Sequence, residues 1–220
     1  MKIVKSISCA GTNLDIYDEP VGIMVSGGVD SAILLYYLMK HAHQTIHIYS
    51  LGSNLKHRRN AIVSPRVVEK CIQLTGNINV VHHIEYNARS TYEHIASVMP
   101  EAALKDGKIQ IIYNGVTRNP PDDIANSFAP ELAIGLDRSD DNNNILHRNN
   151  TLCTPWANTD KRGIAEMYKE EDLMNSLFPV TRSCEYDPTC VYFDDTPDPQ
   201  LGHCGECWWC KEREWGFGTN

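Results

Sequence analysis

Hydrophobic positions follow two alternating patterns along the chain up to about residue 170. Continuous apolar runs, typical of strands buried on both faces of a sheet, lie at residues 21–25, 45–51, 80–84 and 109–113, with a shorter one near Leu152. Segments with helical periodicity follow them, at residues 32–40, 65–74, 90–104, 122–132 and 159–169. This alternation predicts an α/β fold with a Rossmann-like parallel sheet and helices on both faces.

The two ends of the chain differ from this pattern. An N-terminal extension of residues 1–20 precedes the first buried strand. From Pro179 onward the composition shifts to Cys, Asp, Pro, Gly and Trp, with little periodicity. We therefore predict an α/β domain over residues 1–178 and a small zinc-binding tail over residues 179–220.

Composition and charge narrow the function classes. The 220 residues suit one domain with an appendage, and 20 basic against 28 acidic residues give a net charge of −8. An acidic chain repels phosphate backbones at long range, which argues against nucleic acid as a partner. The most apolar stretch, residues 21–39, is interrupted by Ser, Gly and Asp, and no apolar segment of signal-peptide length follows Met1. We therefore expect a cytoplasmic protein without a membrane span.

A loop suited to phosphate joins the first buried strand to its helix. It reads Ser26-Gly27-Gly28-Val29-Asp30-Ser31. The free N–H groups and the dipole of a helix N-terminus favour an anion, and two glycines let the backbone approach it closely. The two serine hydroxyls add donors, so the loop is predicted to bind pyrophosphate. It is neither a Walker sequence nor a dinucleotide-binding Gly-x-Gly-x-x-Gly pattern.

Five of the eight cysteines lie near the C-terminus, and three of them are spaced by two residues: Cys204, Cys207 and Cys210. One tight loop can aim these three thiols at a single ion, and Cys184 can supply the fourth ligand. Four thiolates in a tetrahedron make a closed structural Zn²⁺ site. Cys190 or His203 could replace Cys184, and an iron–sulfur cluster would use the same ligand chemistry.

The six-residue loop resembles the signature of the PP-loop ATP pyrophosphatases, whose fold is adenine nucleotide alpha-hydrolase-like. The resemblance implies that ATP is cleaved to AMP and pyrophosphate with Mg²⁺ on the phosphates, usually while a substrate oxygen is adenylated. Thr154-Pro155 followed by Lys161 is similar to a later segment of this superfamily. By that similarity Lys161 brings a mobile positive charge to phosphate. The catalytic residues implied are Ser26, Asp30, Ser31 and Lys161, while the whole loop binds the nucleotide.

Two residues beyond the fourth predicted strand extend the expected nucleotide site. Gly115 lies two residues beyond that strand, and Arg118 follows three residues later. Both are expected at the carboxyl edge of the sheet, where ligands of such sheets bind. A dense basic run, Lys56 to Arg59, follows the second predicted strand and is either a solvated loop or a further anion contact.

The loop, the Ser183-Cys184 pair and the terminal Cys-Gly-x-Cys-x-x-Cys together resemble the 7-cyano-7-deazaguanine synthase family. The resemblance covers most of the chain from Val21. It implies that the carboxylate of 7-carboxy-7-deazaguanine is activated with ATP and converted with ammonia, through an amide, to a nitrile. It also implies Zn²⁺ in the tail and a homodimer. The segments after the second and fourth strands depart from the family, and those segments should bind the acceptor substrate.

Two other kinds of function stay open at the level of the sequence. The same adenylation chemistry can act on a different acceptor, such as a protein terminus or a tRNA base, including thiolation. The net charge of −8 counts against RNA. A zinc-stabilised nucleotide-binding module without turnover is the non-enzymatic alternative.

Overall fold

The structure is a computed structural model that describes residues 2–52, 60–86, 100–128, 151–184, 203 and 205–219. Four features singled out above lie outside the described residues: the basic run Lys56 to Arg59, the helix start at Ser90, Cys190 and Cys204. Among the described residues, no helix has the length and apolar composition needed to cross a membrane.

An antiparallel hairpin opens the chain, formed by β1 (Ile3–Cys9) and β2 (Thr12–Tyr17). Its two turn residues, Ala10 and Gly11, both have positive φ angles of 42° and 75°, as a two-residue hairpin turn requires. The hairpin buries Leu14 in the main core, and the Tyr113 hydroxyl donates a hydrogen bond of 2.6 Å to the Asp15 carbonyl. The predicted N-terminal extension is therefore packed onto the α/β body.

Five parallel strands form the central sheet, in the order β5-β4-β3-β6-β7. They are β3 (Val21–Met24), β4 (Ile46–Gly52), β5 (Val80–Tyr86), β6 (Ile111–Tyr113) and β7 (Leu152–Cys153). The chain builds outward from β3 on one side and then returns to pair β6 on its other side. Ligands in such sheets bind beyond the carboxyl ends of the strands at this reversal point, which here is the end of β3.

Helices cover both faces of the sheet, as the alternating pattern predicts. They are α1 (Val29–His41), α2 (Asn60–Thr75), α3 (Asp122–Phe128), α4 (Lys161–Glu170) and α5 (Trp208–Phe217), with a 3-10 turn at Phe178–Val180. α1 and α2 pack on the face that carries the main core. Residues 100–105 are also helical, and Ala103 packs with Tyr49 and Ile112 in a second cluster on the opposite face.

The second helix begins five residues earlier than the hydrophobic pattern predicts. The pattern expects Pro65 in the first turn, but Pro65 lies inside α2, where it removes the N–H that would bond to the Ala61 carbonyl. Tertiary packing compensates for this loss, because Val63 and Ser64 are buried against the loop after β3. A Cβ on Gly27 would lie 2.8 Å from Val63 Cγ1, so the two segments touch closely.

The C-terminal helix packs back onto the α/β body. α5 lies against α4, and the Phe217 ring joins the main core beside Tyr168 and Phe178, with ring centroids 5.5 Å and 4.7 Å away. Arg213 is buried in the same place, and its Nη1 donates to Thr181 Oγ1 at 2.9 Å. Burial lowers the pKa of Arg213 to about 10. The division of the chain at residue 178 stays a prediction.

A hydrogen-bonded chain of side chains supports the end of β3. The Ser50 hydroxyl donates to the Val25 carbonyl at 2.9 Å, and His82 Nε2 lies 2.8 Å from Ser50 Oγ. Because the Ser50 proton is committed to Val25, His82 is the donor of the second bond. Burial, with a smaller contribution from His83, lowers the pKa of His82 to about 4.

We expect His82→Gln to make stability less dependent on pH. The folded pKa lies below that of an unfolded histidine, about 6.5, so the unfolded chain takes up this proton first. The contribution of His82 is therefore complete above pH 6.5 and is lost as the pH falls toward 4.

Between pH 7 and 5 the wild type should lose about 1 kcal/mol more unfolding free energy than the variant, after allowance for solvent screening of the ring. Urea unfolding at both pH values measures the difference, with the exposed His43→Gln as control; equal losses in wild type and His82→Gln would contradict it.

Candidate active site

The phosphate loop, residues 26–31, is closed by hydrogen bonds between its own ends. The Ser26 N–H donates to Ser31 Oγ at 3.2 Å, and the Gly28 N–H donates to Ser26 Oγ at 3.2 Å. The Ser31 hydroxyl donates to the Gly28 carbonyl, also at 3.2 Å. Gly27 has a φ of +87°, a conformation that side chains other than glycine rarely adopt. The loop is thus held in a tight turn that leads into α1.

Three other segments hold the loop from outside. The Arg182 N–H donates to the Gly27 carbonyl at 2.9 Å, and the buried Tyr168 hydroxyl donates to the Val29 carbonyl at 3.0 Å. The Val29 side chain is fully buried, so this residue anchors the loop in the core. Gly115 packs directly on the first turn of α1, since a Cβ there would lie 2.9 Å from the Ser31 nitrogen. Gly115 therefore supports the loop through close backbone contact.

Replacing Gly115 with alanine should damage both the fold and the loop. The added methyl would lie within 3.1 Å of three backbone atoms of Asp30 and Ser31, and backbone cannot rotate away as a flexible side chain can. We expect a loss of about 1–3 kcal/mol in unfolding free energy, together with weaker Mg·ATP binding. Gly28→Ala is the matched control for stability, because a Cβ there meets no atom closer than 3.4 Å. Denaturant unfolding separates the two variants, and a Gly115→Ala protein as stable as the wild type would contradict the packing argument.

Lys161 lies in the structure as a buried ion-pair partner of the loop. Its side chain is 3% exposed, and its Nζ contacts Asp30 Oδ2 and lies 3.5 Å from Glu212 Oε2. The residue begins α4, whose N-cap Asp160 accepts hydrogen bonds from the Arg162 and Gly163 N–H groups. The resemblance implies a mobile lysine, whereas the structure holds this ammonium between two carboxylates. The charge is nevertheless adjacent to the phosphate loop.

Loop residues and Lys161 line one cavity of about 100 Å³ at the carboxyl end of β3. Its remaining walls come from α2, from the segment after the 3-10 turn and from the start of α5: Asn60, Val63, Arg182, Ser183, Cys184 and Trp209. Sites for whole small molecules occupy roughly 300–1,000 Å³. The cavity bounded by the described residues is therefore smaller than a site for a whole nucleotide, and it has two cationic side chains, Lys161 and Arg182, in its lining.

Arg118 does not lie at this cavity. Its side chain is 52% exposed, and Nη2 is 3.9 Å from Asp160 Oδ2. It lines a separate polar cavity of about 280 Å³ between the hairpin turn and the start of α4. The segment after β6 turns toward α4, as shown by the Arg118 N–H bonded to the Thr159 carbonyl at 3.0 Å. The contact of Arg118 with the nucleotide stays a prediction.

Three of the four predicted metal ligands come together in one buried cluster. The sulfur atoms of Cys184, Cys207 and Cys210 all lie within 4.8 Å of one another. Cys207 is the N-cap of α5 and Cys210 lies in its first turn, while Cys184 comes from the segment after the 3-10 turn. Cys204 lies outside the described residues. His203 does not join the cluster: its Nε2 accepts a hydrogen bond of 3.3 Å from the Ser183 N–H.

The spacing of these thiols fits a single metal ion. Four sulfurs at about 2.3 Å from a tetrahedral ion stand about 3.8 Å apart, and Cys207 Sγ lies 3.8 Å from Cys184 Sγ. Hydrogen bonding to the neighbouring Cys184 thiol, together with burial, raises the pKa of Cys207 to about 11. The same causes raise the pKa of Cys210. Crowded thiols of this kind lose their protons readily only when a cation compensates the charge, so the cluster could hold a metal.

Glu212 and Arg182 are functional candidates that the sequence did not indicate. Glu212 lies in the tail, two residues after the last cysteine, where nothing in the pattern connects it to Lys161. Arg182 directly precedes the Ser183-Cys184 pair, and this position next to a recognised motif could have indicated it as a candidate. Both side chains are buried; Arg182 lines the cavity, and Glu212 lies 3.5 Å from the Lys161 ammonium.

One family model matches the part of the chain that contains the phosphate loop. Residues 14–99 match the model of the asparagine synthase family. No curated protein sequence matches the chain significantly. Among solved structures, the U34-tRNA thiolase NcsA from Methanococcus maripaludis with its [4Fe-4S] cluster is similar, with 13% identity, a TM-score of 0.44 and coverage of 72% of this chain and 59% of the thiolase.

NMN synthetase from Francisella tularensis is similar to the same degree, with 14% identity, a TM-score of 0.43 and coverage of 92% of this chain and 78% of the synthetase. At this level of similarity neither structure informs the reaction of this chain. The residues that match the asparagine synthase family model include the phosphate loop, α1 and α2. The segment that contains the phosphate loop is thus similar to the asparagine synthase family of the PP-loop ATP pyrophosphatase superfamily.

Proposed function

We propose that the protein is an ATP-dependent adenylating enzyme that releases pyrophosphate and AMP. The observation that carries this proposal is the convergence of the phosphate loop, Lys161 and Arg182 on one cavity at the reversal point of the sheet. A loop of this kind directs backbone N–H groups at an anion, and the two cations balance the charge of the outer phosphates.

The residues of the cavity contribute position and charge to the proposed reaction. The loop would hold the β- and γ-phosphates, so that a carboxylate oxygen of the acceptor can attack the α-phosphorus. Lys161 and Arg182 stabilise the negative charge that grows on the departing pyrophosphate. Asp30 is the acidic residue placed to bind Mg²⁺, which would neutralise further phosphate charge when bound. The described residues suggest no general base, and a carboxylate nucleophile needs none.

For the acceptor we propose 7-carboxy-7-deazaguanine, with ammonia as the second substrate. Attack of the carboxylate on ATP gives an acyl adenylate and pyrophosphate. Ammonia then attacks the acyl carbon, a proton is lost, and AMP leaves to give the amide. A second ATP adenylates the amide oxygen with release of pyrophosphate, and loss of AMP and of both amide protons gives the nitrile. The resemblance of the loop and of the cysteine motif to the synthase family supports this choice of acceptor.

We further propose that the cysteine cluster binds Zn²⁺ through Cys184, Cys204, Cys207 and Cys210. The sulfur spacing supports a single ion, because the cube of a four-iron cluster holds its cysteines further apart than a single ion does. The proposed role is structural, since four thiolates leave no open coordination position. A homodimeric, cytoplasmic enzyme is part of the same proposal and rests on the family resemblance.

One incubation tests the proposed function. The purified metal-loaded protein is mixed with ATP, Mg²⁺, ammonium and 7-carboxy-7-deazaguanine, and nucleobase masses and AMP are measured. We expect the nitrile, with two AMP formed for each nitrile. AMP without a change in the nucleobase would refute this acceptor, and the absence of AMP with every acceptor would favour a nucleotide-binding module. The variant Ser26→Ala with Asp30→Asn serves as the inactive control.

A second candidate is adenylation of another acceptor, including a tRNA base that is then thiolated. Cys184 favours it, because this residue belongs both to the cysteine cluster and to the wall of the phosphate cavity. Cys153 does not supply the sulfur in this scheme: it is buried, and burial raises its pKa to about 12, so the thiol stays protonated at neutral pH. AMP release that depends on added tRNA would select this candidate over the first.

A further inference from the structure

We propose that Glu212 is a positioning residue that holds Lys161 in the phosphate site during turnover. This inference rests on the proposed function, because it assigns a role within the same ATP site. Glu212 does not line the phosphate cavity among the described residues, and its Oε2 lies 3.5 Å from Lys161 Nζ. The role we assign to it therefore acts through the lysine.

The first observation is the charge arrangement around the ammonium. Lys161 Nζ contacts Asp30 Oδ2 and lies 3.5 Å from Glu212 Oε2, and the Lys161 and Glu212 side chains are 3% and 0% exposed. Burial of a carboxylate costs free energy unless a cation compensates it. Glu212 lies close enough to Lys161 for the ammonium to serve as that cation. The carboxylates of Asp30 and Glu212 therefore both lie within ion-pair distance of the Lys161 ammonium.

The two carboxylates differ in what a nucleotide does to them. Asp30 belongs to the phosphate loop and lines the cavity, so bound Mg²⁺ would compete with Lys161 for the Asp30 carboxylate, and bound phosphate would compete with Asp30 for the Lys161 ammonium. Glu212 is not among the described lining residues, so a ligand in the cavity would leave its contact with Lys161 in place. We infer that Glu212 holds the Lys161 ammonium in position while this ammonium releases Asp30 and binds phosphate oxygens.

The second observation is that the same face of α5 fixes the backbone of Lys161. Gly216 lies one helical turn after Glu212, and a Cβ there would be 2.4 Å from Lys161 Cβ and 2.8 Å from its carbonyl carbon. Trp215, next to it, packs under the Arg162 guanidinium at 4.4 Å. α5 thus contacts the start of α4 at the backbone and at the charged end of the same lysine.

A double-mutant cycle tests this role. Pyrophosphate release and Mg·ATP affinity are measured for Glu212→Gln, Lys161→Met and the combined variant, with the exposed Glu214→Gln on the same helix as control. A lysine displaced by about 1 Å should slow pyrophosphate release about 10- to 100-fold in Glu212→Gln. The same substitution should cost less than about twofold when Lys161 is already Met, because its effect acts through the lysine. Glu212→Asp should recover part of the rate, and Glu214→Gln should match the wild type.

The outcomes separate this inference from the proposed function. If Glu212→Gln slows the wild type and Lys161→Met by the same factor, Glu212 acts on the fold alone and the inference is wrong. If the wild type binds Mg·ATP but turns over no acceptor, the cycle is run on affinity, so the proposed function fails while the positioning role is still decided. Thermal unfolding of all five variants identifies any that do not fold, and the charge-neutral combined variant keeps the comparison possible.

Discussion

Lys161→Met is expected to reduce pyrophosphate release by about 10²–10³-fold, the effect typical of removing one preorganised charge from a reacting centre. Lys161 is the cation that contacts the phosphate loop directly, through Asp30. Its loss leaves Arg182 as the cationic side chain in the described lining of the cavity. The measurement is the rate of pyrophosphate and AMP formation at saturating ATP. Lys169→Met, an exposed lysine in the last turn of α4, is the matched control.

The same substitution should also destabilise the protein, and this effect can be separated from catalysis. Removing one partner of a buried ion pair costs about 3–5 kcal/mol, because the other charge stays buried without compensation. Here two carboxylates, Asp30 and Glu212, lose their shared cation. Adding Glu212→Gln to Lys161→Met should restore much of the stability but none of the activity. A Lys161→Met protein that releases pyrophosphate at the wild-type rate would remove the lysine from the site.

Loss of one cluster cysteine is expected to have the largest effect on stability. Cys210→Ala removes a buried thiol from the first turn of α5, and the remaining ligands should no longer retain a metal. Loss of a structural metal costs more than about 4 kcal/mol, which corresponds to a fall of about 8–16 °C in Tm for a chain of this size. Because α5 carries Glu212 and packs on α4, we also expect loss of Mg·ATP binding.

The control for Cys210→Ala is Cys71→Ala, which removes an equally buried thiol outside the cluster. It should lower Tm by the cavity effect alone and keep the metal. Metal content by mass spectrometry and thermal unfolding under reducing conditions measure both variants. Chelation of the wild type should reproduce the Cys210→Ala result. If chelation removes the metal from the wild type and its Tm does not change, the metal is not structural.

The order of strands and helices was predictable from the sequence because it depends on local patterns. Val21–Met24 is an uninterrupted apolar run, and a parallel strand buried on both faces requires one. The phosphate loop was recognisable for the same reason, since its glycines and serines serve the local geometry of one turn. The cysteines near α5 carry their ligand spacing within seven residues.

Element boundaries and the roles of single charges were less predictable. The sequence predicted a start of α2 five residues beyond the observed one, because the first turn of this helix is stabilised by contact with the phosphate loop rather than by its own sequence. Arg118 was expected at the nucleotide because it follows β6; the structure places it in a different cavity beside the start of α4, and its contact with the nucleotide stays a prediction. His203 was a reasonable spare ligand by spacing, yet its ring nitrogen accepts the Ser183 N–H.

By itself, the sequence determined the α/β class, the place of the phosphate loop and the spacing of the C-terminal thiols, because each depends on residues a few positions apart. Only the tertiary structure decided which charges meet. Lys161 pairs with Asp30 across 131 positions and with Glu212 from another helix. Such pairs form where packing brings two helices and a loop to the end of one strand, and burial then makes their charges depend on one another.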